Sequence, residues 1–156
     1  MTKIRPYEDR DEEEVINIYA ASKMDELINE KEGFVFLPLK EDFERHKKLL
    51  ESKIFVYEES KVIGYCAYFN NEIRALYVLP GHRGRGIGKQ MFEFMLNEII
   101  ENPILFVAKT NNHAKKIYEK YGFEVVDEFQ TKYNGQVVLA NKMKKMVNKH
   151  RFLPER

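Results

Sequence analysis

The sequence predicts an α/β domain of mixed α+β type, with a central twisted mixed sheet of about seven strands and helices on both faces. Three observations carry this. Strand-like and helix-like runs follow one another in the order β-α-α-β-β-β-α-β-α-β-β. A glycine-rich basic turn, Pro80 to Lys89, joins an apolar strand-like run to a helix-like run. Asn134-Gly135 stands between two long alternating runs and signals a type I′ hairpin. A chain of 156 residues is long enough for one hydrophobic core, so one domain over 1–147 is expected, with a C-terminal tail at 148–156.

Each element has a local reason. Lys3 to Pro6 reads as a short first strand. Asp9-x-x-Glu12 reads as a capping box opening a helix whose inner stripe is Val15, Ile18, Tyr19 and Ser22. Residues 25–40 break the periodicity with Gly33, Pro38 and the apolar patch Phe34-Val35-Phe36-Leu37. A second helix is expected over Glu41 to Ser52, with Phe43, Lys47 and Leu50 on one side. Ile54–Glu58 and Val62–Phe69 form a hairpin across Glu59-Ser60-Lys61. Asn70-Asn71 then turns the chain into the strand Glu72–Leu79. After the glycine turn, Met91, Met95 and Ile99 mark one helical face, with Phe92 and Leu96 beside it. Pro103 starts the strand Ile104–Ala108, and a helix over Asn112–Tyr121 is expected to bury Ala114, Ile117, Tyr118 and Tyr121. Phe123–Tyr133 and Gln136–Met143 close the sheet.

Composition narrows the function. The chain is 44% apolar and 33% charged with a formal net charge of +1, which gives no global electrostatic case for nucleic acid or an anionic membrane. The basic stretch Lys142 to Arg151 reads as a solvated end. No apolar run is long enough to span a bilayer, and the N-terminus lacks a signal-peptide core, so no membrane partner is expected. The single cysteine, Cys66, excludes an internal disulfide and suits a cytoplasmic location. No CxxC or clustered histidines suggest a metal.

The glycine turn points to a phosphate. Backbone N–H groups at a helix N-terminus face an anion there, and the helix dipole favours negative charge. Gly84, Gly86 and Gly88 let the backbone approach phosphate oxygens, and Arg83, Arg85 and Lys89 add counter-charge. A G-x-x-x-x-G-K-S/T loop fails: Gln90 follows Lys89, and Arg83 occupies the first glycine position. A G-x-G-x-x-G fingerprint fits at Gly84 and Gly86 but meets Lys89 at its third glycine.

A third pattern fits. Arg83-x-x-Gly86-x-Gly88 resembles the R/Q-x-x-G-x-G/A signature of the GNAT superfamily of N-acetyltransferases. Asn111, Ala114, Tyr118, Gly122 and Phe123 fall in register with the later family motif N-x-x-A-x-x-x-Y-x-x-x-G-F, and the motif follows an apolar strand as the family requires. With the flanking strands, the resemblance covers nearly the whole chain.

The resemblance implies an acetyl-CoA-dependent transferase acting on an amine acceptor, often as a homodimer. It implies that the turn, Ile87 included, holds the coenzyme pyrophosphate, that the backbone of Leu76, Tyr77 and Val78 pairs with the pantetheine amides, and that Asn111 and Ala114 sit against the coenzyme. Tyr118 would protonate the leaving thiolate. Glu72, eleven residues before Arg83, would take the amine proton. Plain alternatives stand beside these roles: Tyr118 as a core aromatic, Glu72 as a turn acid with water as base, and Asn111 as an N-cap. Cys66 is read as a small core residue, since an acyl-carrying thiol would lack a nearby histidine in sequence. His82 and His113 are read as surface or phosphate-edge residues.

The acceptor site is expected from residues 25–37, the end of the Ile54–Phe69 hairpin and the closing hairpin near Tyr133. There Asp25, Glu26, Glu30 and Glu32 would attract a cationic amine, and Phe34 and Phe36 would pack its carbon chain. A core anchor with a solvated acidic end is the alternative. A non-catalytic acyl-CoA sensor, or a transferase for one macromolecular partner, are the rival functions.

Overall fold

The computed structural model describes residues 3–146. Seven strands form one mixed sheet in the order β1-β2-β3-β4-β5-β7-β6. They are β1 (Ile4–Pro6), β2 (Lys53–Glu58), β3 (Val62–Phe69), β4 (Glu72–Val78), β5 (Ile104–Ala108), β6 (Phe123–Tyr133) and β7 (Gln136–Lys145). Every neighbouring pair is antiparallel except β4 and β5. The helices are α1 (Glu12–Ser22), α2 (Phe43–Glu51), α3 (Ile87–Glu98) and α4 (Asn112–Lys120). The expected element order and both helical layers are present. The tail expected at 148–156, and the end of the basic stretch, lie outside the described residues.

Two cores sit on opposite faces of the sheet. On one, Ile87, Met91, Phe92 and Met95 of α3 pack on Ile63, Cys66, Tyr68, Leu105 and Met143, with Ala114 and Tyr118 of α4 against them. On the other, Val15, Ile18 and Tyr19 of α1 and Leu49 of α2 pack on Val56, Tyr65, Ala67 and Ala75. The α1 stripe matches the expected one. A β-bulge lets β4 serve both layers. Ala67 faces Ala75 but Tyr68 faces Ile73, so Arg74 is an extra residue. Ile73 therefore joins the α3 core while Ala75 joins the α1 core.

Four helix details differ from expectation. The cap of the first helical segment lies one residue earlier: Asp11, not Glu12, accepts from the backbone N–H of Glu8 at 2.8 Å. Arg5 of β1 is the cause, since its guanidinium holds both Asp11 oxygens at 2.8 and 2.9 Å and draws the side chain inside, where it is 1% exposed. Helix α2 begins at Phe43, not Glu41; Phe43 and Leu50 share one side as expected, 79% and 55% exposed, and Leu49 makes the buried contact. Asp42 caps that helix through the Arg45 N–H. Helix α3 begins at Ile87, inside the stretch Pro80 to Lys89 read as the turn. Helix α4 ends at Lys120 and packs lightly: Ala114, Tyr118 and Tyr121 are half-buried, and Ile117 is exposed. The closing turn is as expected, with positive φ at both Asn134 (48°) and Gly135 (82°).

Candidate active site

The site begins with the two unequal edges of β4. Towards β3 the strand pairs along its length, from Phe69↔Glu72 to Gly64↔Val78. Towards β5 only Glu72↔Ile104 and Ile73↔Leu105 pair. Beyond them the strands part, so β4 from Arg74 onward and β5 from Phe106 onward each keep an edge without a strand partner among the described residues. The register decides which groups line the opening. Leu79 donates to the Ile63 carbonyl at 2.9 Å, so bonded pairs towards β3 fall at Leu79, Tyr77 and Ala75. Leu76 and Val78 therefore turn their N–H and C=O away from β3, into the opening. Of the three residues expected to offer backbone, Tyr77 does not: its main chain pairs with Tyr65.

The glycine turn lies at the end of this edge. Gly84 and Gly86 have φ of 79° and 81°, and a Cβ on either would meet no neighbour within 4 Å. The demand for glycine there is conformational. Gly86 is the N-cap of α3, so the first N–H groups of a twelve-residue helix leave from this point. Gly88 is in the first turn, with room for a Cβ at 3.8 Å from Val78. The arginines are already engaged. Arg83 donates to the Val78 carbonyl at 2.9 Å and pairs with Asp25 at 2.8 Å. Arg85 pairs with Glu59 at 2.7 Å and touches His82 at 3.0 Å. Lys89 is exposed, with no ion-pair partner among the described residues.

A cavity of about 670 Å³ fills the opening and extends over the α1/α2 face. Tyr118 and Asn111 border it from α4 and its cap; Tyr19, Arg45, Glu72, Arg74 and Tyr77 border it from the other side. The Tyr118 hydroxyl has no hydrogen-bond partner among the described residues. Burial, then the charge of Glu26, pushes its pKa up to about 12, so the phenol holds its proton at neutral pH. The Glu72 carboxylate accepts from Arg74 Nε at 3.1 Å, and Arg74 also pairs with Glu51 at 2.7 Å. Asn111 is the N-cap of α4, its side chain accepting from the Ala114 N–H at 3.4 Å. Cys66 is 0% exposed, and burial pushes its thiol up to about 12, which leaves no accessible thiolate to carry an acyl group.

Of the expected acceptor residues, only Tyr133 and Glu26 line the cavity. Phe34 packs at a tilt against Tyr133 at 6.4 Å and Phe36 against Tyr19 at 6.1 Å, which anchors the irregular segment instead of forming a substrate wall. Asp25 is held by Arg83 and Glu30 by Thr110. Tyr19, Lys23 and Arg45 were not singled out for the site from sequence. They converge from α1, the 3₁₀ segment Lys23–Leu27 and α2, and no spacing in the chain announces that. Among the described residues no group of three His, Cys, Asp or Glu side chains would hold a metal, and no helix is long and apolar enough to cross a membrane.

Residues 51–125 match the family model described as an acetyltransferase (GNAT) domain. The match runs from the end of α2 through the turn, Tyr118 and the start of β6. This stretch belongs to the GNAT superfamily. A 94-residue stretch is 32% identical to a probable N-acetyltransferase, san, of Drosophila melanogaster, covering 53% of this chain and 51% of that protein. This chain thus spans about half the length of that curated relative. The fold of this GNAT chain is similar to that of an N-acetyltransferase of Rhodopseudomonas palustris (TM-score 0.77, 16% identity, 94% of this chain and 97% of the other). It is also similar to YncA of Salmonella typhimurium, a putative acetyltransferase solved with acetyl-CoA (TM-score 0.65, 17% identity, 95% of each chain).

Proposed function

We propose that this GNAT chain, acting as one domain over residues 1–147, transfers the acetyl group of acetyl-CoA to a primary amine by direct attack in a ternary complex. The observation that carries the reading is the unpartnered, protonated Tyr118 hydroxyl at a cavity that also exposes the unpaired β4 edge. The residues fit the coenzyme: two main-chain positions point outward from β4, and a left-handed glycine turn opens a long helix at the end of that edge. When bound, acetyl-CoA supplies the activated acyl group.

The chain's own groups do the rest. Leu76 and Val78 offer main-chain donors and acceptors to the pantetheine arm as an added strand would. Ile87, Gly88 and Lys89 turn their N–H groups to the pyrophosphate, and Lys89 adds charge. Arg83 and Arg85 exchange Asp25 and Glu59 for phosphate oxygens, and Asn111 and Ala114 border the thioester end. The amine loses a proton to Glu72 or to a water beside it, its nitrogen bonds the acyl carbon, the C–S bond breaks, and Tyr118 returns a proton to sulfur. The lone buried thiol of Cys66 supports a cytoplasmic setting.

Calorimetric titration with acetyl-CoA, followed by a thiol-release assay over amines, amino acids and peptides, tests this. Binding with release is expected. Binding without release from any acceptor favours a sensor, and absent binding overturns the donor assignment.

A further inference from the structure

We propose that the acceptor is a small amine carrying a carboxylate or kindred oxyanion beside its amino group, and that Tyr19 and Arg45 hold that anion. This rests on the acetyltransferase reading for the chemistry, though not for the binding. Five basic side chains line the cavity (Lys23, Arg45, Lys48, Arg74 and Lys132) against three acidic ones. No residue of the glycine turn 80–89 lines it, so this positive surface is separate from the pyrophosphate cradle.

The Tyr19 hydroxyl is the second, independent observation. Tyr19 is 4% exposed, and its oxygen is the buried side-chain polar atom left without a partner among the described residues. Its neighbours are engaged: Tyr77 donates to Glu26 at 2.6 Å, and the Tyr133 hydroxyl accepts from the Leu37 N–H at 2.7 Å. Contacts with Tyr77 at 5.7 Å and Phe36 at 6.1 Å fix the Tyr19 ring, so the hydroxyl cannot swing out to solvent. Burial raises its pKa, which keeps it a donor. A buried donor that goes unpaired is costly, and one facing a cavity is matched when an acceptor enters.

Arg45 supplies the charge. It lies 5.1 Å over the Tyr133 ring, gives one N–H to Asp42 at 2.9 Å and one to the Lys132 carbonyl at 3.4 Å, and keeps further donors of its five. Its charge acts on the Tyr19 hydroxyl, and a hydroxyl donor and a guanidinium lining one cavity make an oxyanion seat. The amino end has its own counter-charge in Glu26, which lines the same cavity and is held by Lys23 at 2.7 Å and by Tyr77. A zwitterionic acceptor matches both poles; a polyamine matches only one.

The test compares amino acids with their methyl esters and their decarboxylated amines. Turnover is read by thiol release with acetyl-CoA, and binding by NMR titration of the protein without it. The amino acids should exceed both analogues by at least roughly tenfold in kcat/KM, and should bind where the analogues do not. Tyr19→Phe should lower kcat/KM for the amino acid by roughly 10- to 100-fold, leave the methyl ester unchanged, and keep acetyl-CoA affinity. Equal or better use of esters, polyamines or peptides overturns the proposal, as does a Phe variant that retains the preference. Should acetyl-CoA fail to bind, the transferase reading falls, and the NMR titration alone decides the anion seat.

Discussion

The β1–α1 corner and the β4–β5 opening treat polar groups in opposite ways. In the corner, Arg5 is bonded to Asp11 at 2.8 and 2.9 Å and to Glu58 at 2.7 Å, and Asp11 also takes the Glu8 N–H. Arg5, Asp11 and Glu58 there all have partners within the protein. In the opening, the Tyr19 and Tyr118 hydroxyls have no partner among the described residues, and the outward main chain of Leu76 and Val78 faces no strand there, the Val78 carbonyl taking only side-chain donors such as Arg83. Satisfied polar groups hold a fold together; unsatisfied ones at a cavity hold capacity for a ligand. The contrast assigns stability to one region and chemistry to the other, and it can be broken.

The largest effect should come from Tyr118→Phe. It removes the acid and leaves the ring, so kcat should fall roughly 100- to 10,000-fold while acetyl-CoA affinity and stability hold. Steady-state kinetics beside calorimetry measure both, and a wild-type kcat returns Tyr118 to the core. Gly86→Val should weaken acetyl-CoA binding roughly 100-fold, because a β-branched residue at φ 81° costs about 1–2 kcal/mol and its side chain blocks the approach of phosphate. Unchanged affinity would remove the turn from the donor site.

Asp11→Asn should do the reverse: lower stability by about 2 kcal/mol, with Arg5 left partly paired to Glu58, and spare acetyl-CoA binding. Urea unfolding of both proteins reads it. The loss depends on pH with a definite sign. Arg5 holds the Asp11 carboxyl below its ordinary 3.8, so the contribution is present above that pH and disappears as pH falls through the lowered value. Wild type and variant should therefore differ at pH 7 and converge as pH falls through that lowered value. The smallest effect should be Glu72→Gln, whose carboxylate Arg74 already shares: a loss in kcat below the roughly 100-fold typical of a sole general base. A larger loss would make Glu72 that base.

What the sequence disclosed follows from how local each signal is. The glycine turn, the Asn134-Gly135 hairpin and the Asn111-to-Phe123 motif are written in consecutive residues, and all seven strands stand where alternation and turn residues put them. Contacts across the sheet were not legible. The cap moved from Glu12 to Asp11 because Arg5, on another element, pulls the carboxylate in. Phe34 and Phe36 carry the right chemistry for a substrate wall but are used to pin their segment to Tyr133 and Tyr19. Tyr19 reads as an ordinary stripe residue; only the absence of any partner for its hydroxyl marks it out.

The outward main chain of Leu76 and Val78 bears on how such a protein can change. Groups that belong to the backbone survive any substitution except proline, so the seat proposed for the pantetheine arm is largely immune to mutation at its own positions. The opposite wall is made of side chains, Tyr19, Glu26 and Arg45 among them, and each is one codon from a different chemistry. On the proposed reading, the two sides of the site thus carry unequal heritable risk: donor recognition is kept by construction, while acceptor choice stays open to drift.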